Sequence, residues 1–205
     1  IKQTTLQTPN ATNMEEKKFT EKESLELISQ MIQNTRTRVE KDGGTPFLIW
    51  GYGTVIISLL VWYMVASTGK YEWQYLWFLL PAIGFPGTLW VTRKNESPVK
   101  TYIDRVVNYI WIVFGSAGFL VSCVSIAYPL PILFIILLLM GMGVILTGMV
   151  IHSKIALIGG LLGVLSSLGC IWVTGVNQIL AFAPAFIFMM IIPGHMINYS
   201  ANIKK

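Results

Sequence analysis

Residues 106–203 form a stretch of 98 residues that contains one charged side chain, Lys154. A charge at the centre of a bilayer costs about 2.5–3.5 kcal/mol on insertion scales, whereas soluble domains carry about 25% charged residues throughout. The stretch therefore indicates a chain that folds in a membrane. The same lack of Asp, Glu, Lys and Arg removes the acid–base pairs and metal-ligand clusters on which catalysis depends. We expect no enzyme, no catalytic residue, no metal and no cofactor.

Six apolar runs are close to the roughly 20 residues that a helix needs to cross a bilayer. The predicted spans are residues 47–66, 73–91, 106–127, 130–151, 155–174 and 179–197. Trp and Tyr lie near both ends of the first two runs, as in aromatic belts. The fold class is therefore predicted to be an all-α polytopic membrane protein, with a six-helix bundle over residues 47–197 and a cytoplasmic tail at 198–205.

A cytoplasmic amphipathic helix is predicted ahead of the bundle. Residues 1–19 are polar and are expected to be disordered. Thr20 and Glu23 fit a capping box, which places a helix at residues 20–42, and Gly43-Gly44 is expected to end it. Its apolar residues form one stripe opposite charged ones, and the candidate partner-binding positions are Leu25, Ile28, Met31 and Ile32.

The charge of this helix favours protein over lipid as its contact. Residues 15–42 hold six basic and seven acidic residues, unlike the Lys/Arg-rich face of helices that bind anionic bilayers. The stripe is therefore expected to meet another protein, a second copy or the chain's own bundle. The sequence leaves homo-oligomers open.

Basic residues indicate how the bundle is oriented, because they collect in the short loops on the cytoplasmic side of the membrane. With six spans and a cytoplasmic N-terminus, fourteen of the fifteen Lys and Arg residues lie on that side and Lys70 alone lies on the other. Both termini are therefore predicted to be cytoplasmic. We attribute the net positive charge to the orientation of the chain in the bilayer, and we expect no nucleic acid partner.

Proline and glycine interrupt the second and sixth predicted spans. Proline removes a backbone hydrogen bond, and such breaks in a membrane occur where protein or a water-filled cavity satisfies the freed groups. The candidate helix breaks or cavity-lining residues are Pro81, Gly84, Pro86, Gly87, Pro184, Pro193 and Gly194. Gly159 and Gly163 form a GxxxG pair, a candidate packing face, for which packing within the bundle is favoured over dimerisation.

Residues 46–52, Pro-Phe-Leu-Ile-Trp-Gly-Tyr, open the first span after the Gly-Gly pair and precede five more spans. This layout resembles small six-span inner-membrane proteins of bacteria. The resemblance implies a multi-pass protein of the bacterial inner membrane. It does not imply any particular activity.

Two functions remain for such a chain. The first is a non-enzymatic membrane component that binds a partner or senses the bilayer through its cytoplasmic helix. The second is a small transporter or channel for an apolar or neutral solute. A polar-lined cavity between the second and sixth spans would favour transport, and a filled, glycine-packed centre would favour the first function.

Overall fold

A computed structural model describes residues 21–94 and 102–203, and the regular elements in these two ranges are all helical. The α-helices are α1 Glu21–Thr68, α2 Leu79–Lys94, α3 Tyr102–Ala127, α4 Ile132–Val150, α5 Lys154–Trp172, α6 Asn177–Phe186 and α7 Ile192–Ile203. A 3₁₀-helix, Tyr71–Phe78, precedes α2, and a π-helical turn, Ile187–Ile191, joins α6 to α7. The predicted all-α fold class is confirmed for the described residues.

Five helical stretches are long and apolar enough to cross a membrane. They are Gly44–Thr68, Tyr102–Ala127, Ile132–Val150, Lys154–Trp172 and Asn177–Ser200. These stretches match the first, third, fourth, fifth and sixth predicted spans, with ends that differ by a few residues. The chain is therefore a multi-pass membrane protein. Its last span includes the π-helical turn, and α7 continues to Ile203, into the region predicted as a tail.

The second predicted span, residues 73–91, is not among these five stretches and stays a prediction, because it is not one continuous α-helix. Residues 71–78 form the 3₁₀-helix and only the 16 residues of α2 are α-helical. Pro81 explains the change, because its ring would clash with the carbonyl of Trp77 in an α-helix and it has no N–H to donate. Pro81 is instead the third residue of α2, in the first turn, where backbone N–H groups have no partner within the helix.

The predicted helix end at Gly43-Gly44 is wrong. Helix α1 runs through both glycines and through Pro46 without interruption. Gly44 serves close packing instead, because a methyl group on it would lie 2.5 Å from the carbonyl oxygen of Gly194 and would overlap the side-chain amide of Asn198. Glycine is therefore needed here for the approach of α7 and does not end the helix.

The chain divides into two compact units, residues 1–33 and residues 34–205. In the first unit the described side chains are those of Leu25, Glu26, Ser29 and Gln30, and all four are exposed. The side chains of Ile28, Met31 and Ile32, and all of residues 1–20, lie outside the described part. The amphipathic stripe therefore stays a prediction.

The core of the second unit is built around the last span. Half of that span's most apolar window is buried, compared with 6% for α3. Its buried side chains pack on residues from α1, α4 and α5, and the cluster comprises Phe47, Leu137, Val144, Cys170, Phe182, Ala185, Phe186, Met189 and Met190. Large apolar side chains thus fill the middle of the bundle.

Helices α4 and α5 pack through glycine at very short range. A methyl group on Gly160 would lie 2.7 Å from the backbone nitrogen of Ile145, and one on Gly148 would lie 2.7 Å from that of Leu157. A methyl group on Gly141 would likewise lie 2.9 Å from the backbone nitrogen of Val164. Lipid tails are as apolar as these side chains, so close van der Waals contact, rather than a hydrophobic driving force, stabilises this pair.

Gly160→Ala is expected to lower the free energy of unfolding by about 1–3 kcal/mol, the usual cost of overpacking a close contact. The matched control is Gly169→Ala on the same helix, where an added methyl group meets no heavy atom within 4 Å. This control should be neutral or stabilising, since alanine favours helix. Reversible unfolding in mixed micelles measures both. Equal effects at the two positions would contradict the packing described here.

Candidate functional site

The predicted break residues Gly84 and Gly87 lie within α2 and pack against α1. A methyl group on Gly84 would lie 3.0 Å from the indole ring of Trp50, and Gly87 lies beside Ile49. The Trp50 indole N–H donates a hydrogen bond of 3.0 Å to the Thr88 hydroxyl, and its ring meets Phe85 edge-on at 5.3 Å between centroids. The small residues of α2 therefore make room for one tryptophan.

The break in the last span packs against α5. Pro193 is fully buried, and a methyl group on Gly159 would lie 2.5 Å from its ring and 3.0 Å from the carbonyl oxygen of Met189. One turn further along α5, Gly163 meets the Met189 side chain. The two glycines of the predicted GxxxG pair thus contact the broken helix inside the same bundle.

This contact has a backbone consequence. Ile192 donates its N–H to the Ile187 carbonyl across the π-helical turn, and the next residue, Pro193, has no N–H to donate. The carbonyl of Phe188 or Met189 that would accept a hydrogen bond from this position therefore receives none from Pro193. Gly159 lies against these oxygens, since a methyl group on it would be 3.0 Å from the Met189 oxygen and 3.3 Å from the Phe188 oxygen.

The remaining predicted break residues have different surroundings. Pro86 and Pro184 are exposed and Pro81 is half-buried. Gly194 contacts Leu48 and the Gly44 carbonyl of α1. The small residues of α2 and α7 thus contact different residues of α1, and Pro193 contacts α5.

Buried hydroxyl groups in the bundle bond to their own helices. Thr54 donates to the Trp50 carbonyl at 2.8 Å, and Ser58 donates to the Thr54 carbonyl at 2.6 Å. Thr147 and Ser167 make the same kind of bond on α4 and α5, at 2.8 and 2.6 Å. The donors of these hydroxyls are therefore used within their own helices.

A concave site of about 430 Å³ lies where α5 ends and α6 begins. It is lined by Pro131, Phe134, Cys170, Ile171, Val173, Thr174, Gly175 and Gln178. The Gln178 amide donates a hydrogen bond of 2.6 Å to the Cys170 carbonyl and so caps the end of α5. None of the predicted break residues lines this cleft. Gln178 was not predicted, and its only signal was an amide at the start of an apolar run.

The two histidines have separate partners. His195 Nε2 lies 2.9 Å from the Tyr52 hydroxyl, and the two exposed rings meet edge-on. His152 has a φ of 55° and follows α4 in a left-handed turn, in which Ser153 N–H donates to the Gly148 carbonyl at 2.9 Å. This is a Schellman end. Within the described ranges, no group of three or more His, Cys, Asp and Glu residues is placed to hold a metal ion.

No known protein family, curated protein or solved structure matches this chain.

Pro193→Ala is expected to cost about 1–3 kcal/mol of unfolding free energy, because it leaves a cavity against Gly159. Pro86→Ala, the matched control, should change stability by less than about 0.5 kcal/mol, since Pro86 is exposed. Unfolding in mixed micelles compares them. A larger loss at Pro86 would show that the break in the last span is not held by packing.

Proposed function

We propose that the chain crosses the membrane six times, with residues 71–94 as a broken second span and both termini in the cytoplasm. The 3₁₀-helix and α2 follow one another directly and together comprise 24 residues. That number is within the range of 17–25 residues for a helical crossing.

The contacts of this segment support a crossing. Trp73 and Trp77 pack on the cluster of Val61, Val65 and Ile179, while further along α2 Gly87 lies beside Ile49. The segment therefore follows α1 backwards from Val65 to Ile49, which is about 24 Å at 1.5 Å per residue. This distance is most of the roughly 30 Å of a bilayer's hydrocarbon core.

The charges support the same topology. Six crossings place fourteen basic residues on one side and one on the other. If residues 71–94 did not cross, all later loops would exchange sides, and the division would become seven against eight. Only six crossings agree with the positive-inside rule. With the resemblance to bacterial six-span proteins, this favours the inner membrane of a bacterium.

We further propose that the protein is a non-enzymatic membrane component that binds a protein partner through its cytoplasmic helix. The filled centre of the bundle carries this proposal. Phe182, Met189 and Met190 are each no more than 1% exposed, and Gly159 and Gly163 close the remaining space against the last span. A transporter of the alternative class needs an opening between its broken spans, and these are the residues that would have to move.

The cytoplasmic end of α1 supplies the binding surface in this proposal. Leu25 is 67% exposed, and a large apolar side chain at the start of a charged helix gains free energy when a partner covers it. Ile28, Met31 and Ile32 extend the stripe by helical spacing. The balance of acidic and basic residues around the stripe favours a protein over an anionic bilayer.

Ile28→Glu combined with Ile32→Glu is expected to release the proteins that co-purify with the full chain in mild detergent, because two charges would be buried in the contact. The control is Gln30→Glu combined with Gln33→Glu, which adds the same charge to the polar face and should keep the partners. Quantitative mass spectrometry of affinity-purified protein measures both.

Insertion of the bundle should be equal in the two variants. If the Ile28→Glu, Ile32→Glu variant keeps every partner and the same oligomeric size, the helix does not act as a binding surface. If Pro193→Ala abolishes flux of a neutral solute in a protein that stays folded, transport replaces partner binding as the function.

A further inference from the structure

The cleft where α5 ends and α6 begins has a buried floor. Its volume of about 430 Å³ lies within the roughly 300–1,000 Å³ of pockets that hold small ligands. Cys170 and Phe134 both line it. Cys170, which is 2% exposed, belongs to the buried core cluster, and Phe134 packs against that cluster. The floor of the cleft is therefore the end of the packed core.

The turn between α5 and α6 shapes the cleft. Gly175 has a φ of 72°, a left-handed conformation that glycine adopts without strain, and it lies in the short segment between Trp172 and Asn177. Gln178 then reaches back to the Cys170 carbonyl. Pro131 lines the cleft from the start of α4. The ends of three packed helices therefore form its walls.

The polar groups of the cleft favour a ligand that donates a hydrogen bond. Because the Cys170 carbonyl can only accept, the Gln178 amide nitrogen is the atom that bonds to it, and this leaves the amide oxygen as an acceptor. Among the described residues, neither this oxygen nor the Thr174 hydroxyl forms a hydrogen bond with another protein group. The C-terminal end of α5 has negative polarity, which also favours a donor.

The lining of the cleft favours a neutral ligand. Most of the lining is apolar, and its described residues include no charged side chain. An ion that entered the cleft would lose hydration without gaining an opposite charge. A carboxylate would in addition meet the negative end of α5. A plain hydrocarbon, in turn, would give the Gln178 oxygen no donor.

We propose that this cleft binds a neutral, lipid-soluble alcohol, with the hydroxyl group at Gln178 and the apolar body against Phe134 and Ile171. The cleft lies at the ends of membrane-spanning helices, where the hydroxyl group of such a molecule is close to the membrane surface and its chain is in the hydrocarbon. This inference goes beyond the proposed function. It depends neither on the number of crossings nor on the cytoplasmic helix.

The test uses the purified full chain in mild-detergent micelles and an octanol that carries a photoreactive diazirine group. After irradiation, peptide mass spectrometry locates the adducts. Residues 170–178 are expected to carry at least about fivefold more adduct than residues 161–168, the factor that one net hydrogen bond contributes. The leucines of this reference stretch of α5 are all exposed. Unlabelled octanol should compete for the cleft, whereas octanoate at the same concentration should not.

Thr174→Phe places a ring at an exposed residue that lines the cleft, and it should remove the excess of adducts on residues 170–178. The matched control is Thr68→Phe, the same change at an exposed residue that ends α1 and does not line the cleft. This control should keep the excess. Circular dichroism shows whether each variant is folded, and Thr174→Leu replaces Thr174→Phe if the latter unfolds.

Equal adduct density along α5 would mean that the probe only partitions into the detergent around the bundle, and would overturn the proposal. So would an unchanged excess in the Thr174 variant, or equal competition by octanol and octanoate. Because the adducts are mapped on the isolated chain, this outcome is distinct from a failure of the protein-partner proposal, which is measured from co-purifying proteins.

Discussion

Backbone groups of a membrane protein must find partners within the protein, because the hydrocarbon supplies none. This constraint is most severe at the turn Ile187–Ile191 and Pro193, where the most buried helix of the bundle loses a regular hydrogen bond. At this point Gly159 allows α5 to approach the carbonyl oxygen of Met189 closely. On its other side α5 uses Gly160 to contact the α4 backbone. One glycine-rich helix therefore joins the broken span to the rest of the bundle.

The same packing bears on function. A helix break is often associated with a binding site in transporters, because the freed carbonyls can coordinate a solute. Here Gly159 lies against Pro193, and Gly84 of α2 makes room for the Trp50 ring. The buried hydroxyls are bonded to their own helices. These observations support a bundle that is filled at rest.

Much of this fold follows from residue patterns. Apolar runs of span length predict five of the helical stretches, because each run is long and apolar enough to cross a bilayer. The second span was harder, since the effect of Pro81 depends on where its helix begins, and local spacing does not reveal a 3₁₀ start. The continuity of α1 through Gly44 was missed for a related reason. Glycine ends helices and also permits close helix approach, and only the position of Asn198 on α7 distinguishes the two.

The central claim is that residues 71–94 cross the membrane, and cysteine accessibility tests it most directly. In a chain with Cys123→Ala and Cys170→Ala, single cysteines are introduced as Lys70→Cys, Ser97→Cys and Asn177→Cys, and intact cells are treated with a membrane-impermeant thiol reagent. Six crossings predict labelling at positions 70 and 177 and none at 97, with all three labelled after permeabilisation. Labelling at 70 and 97 without labelling at 177 would mean that the broken segment does not cross, and would contradict the account.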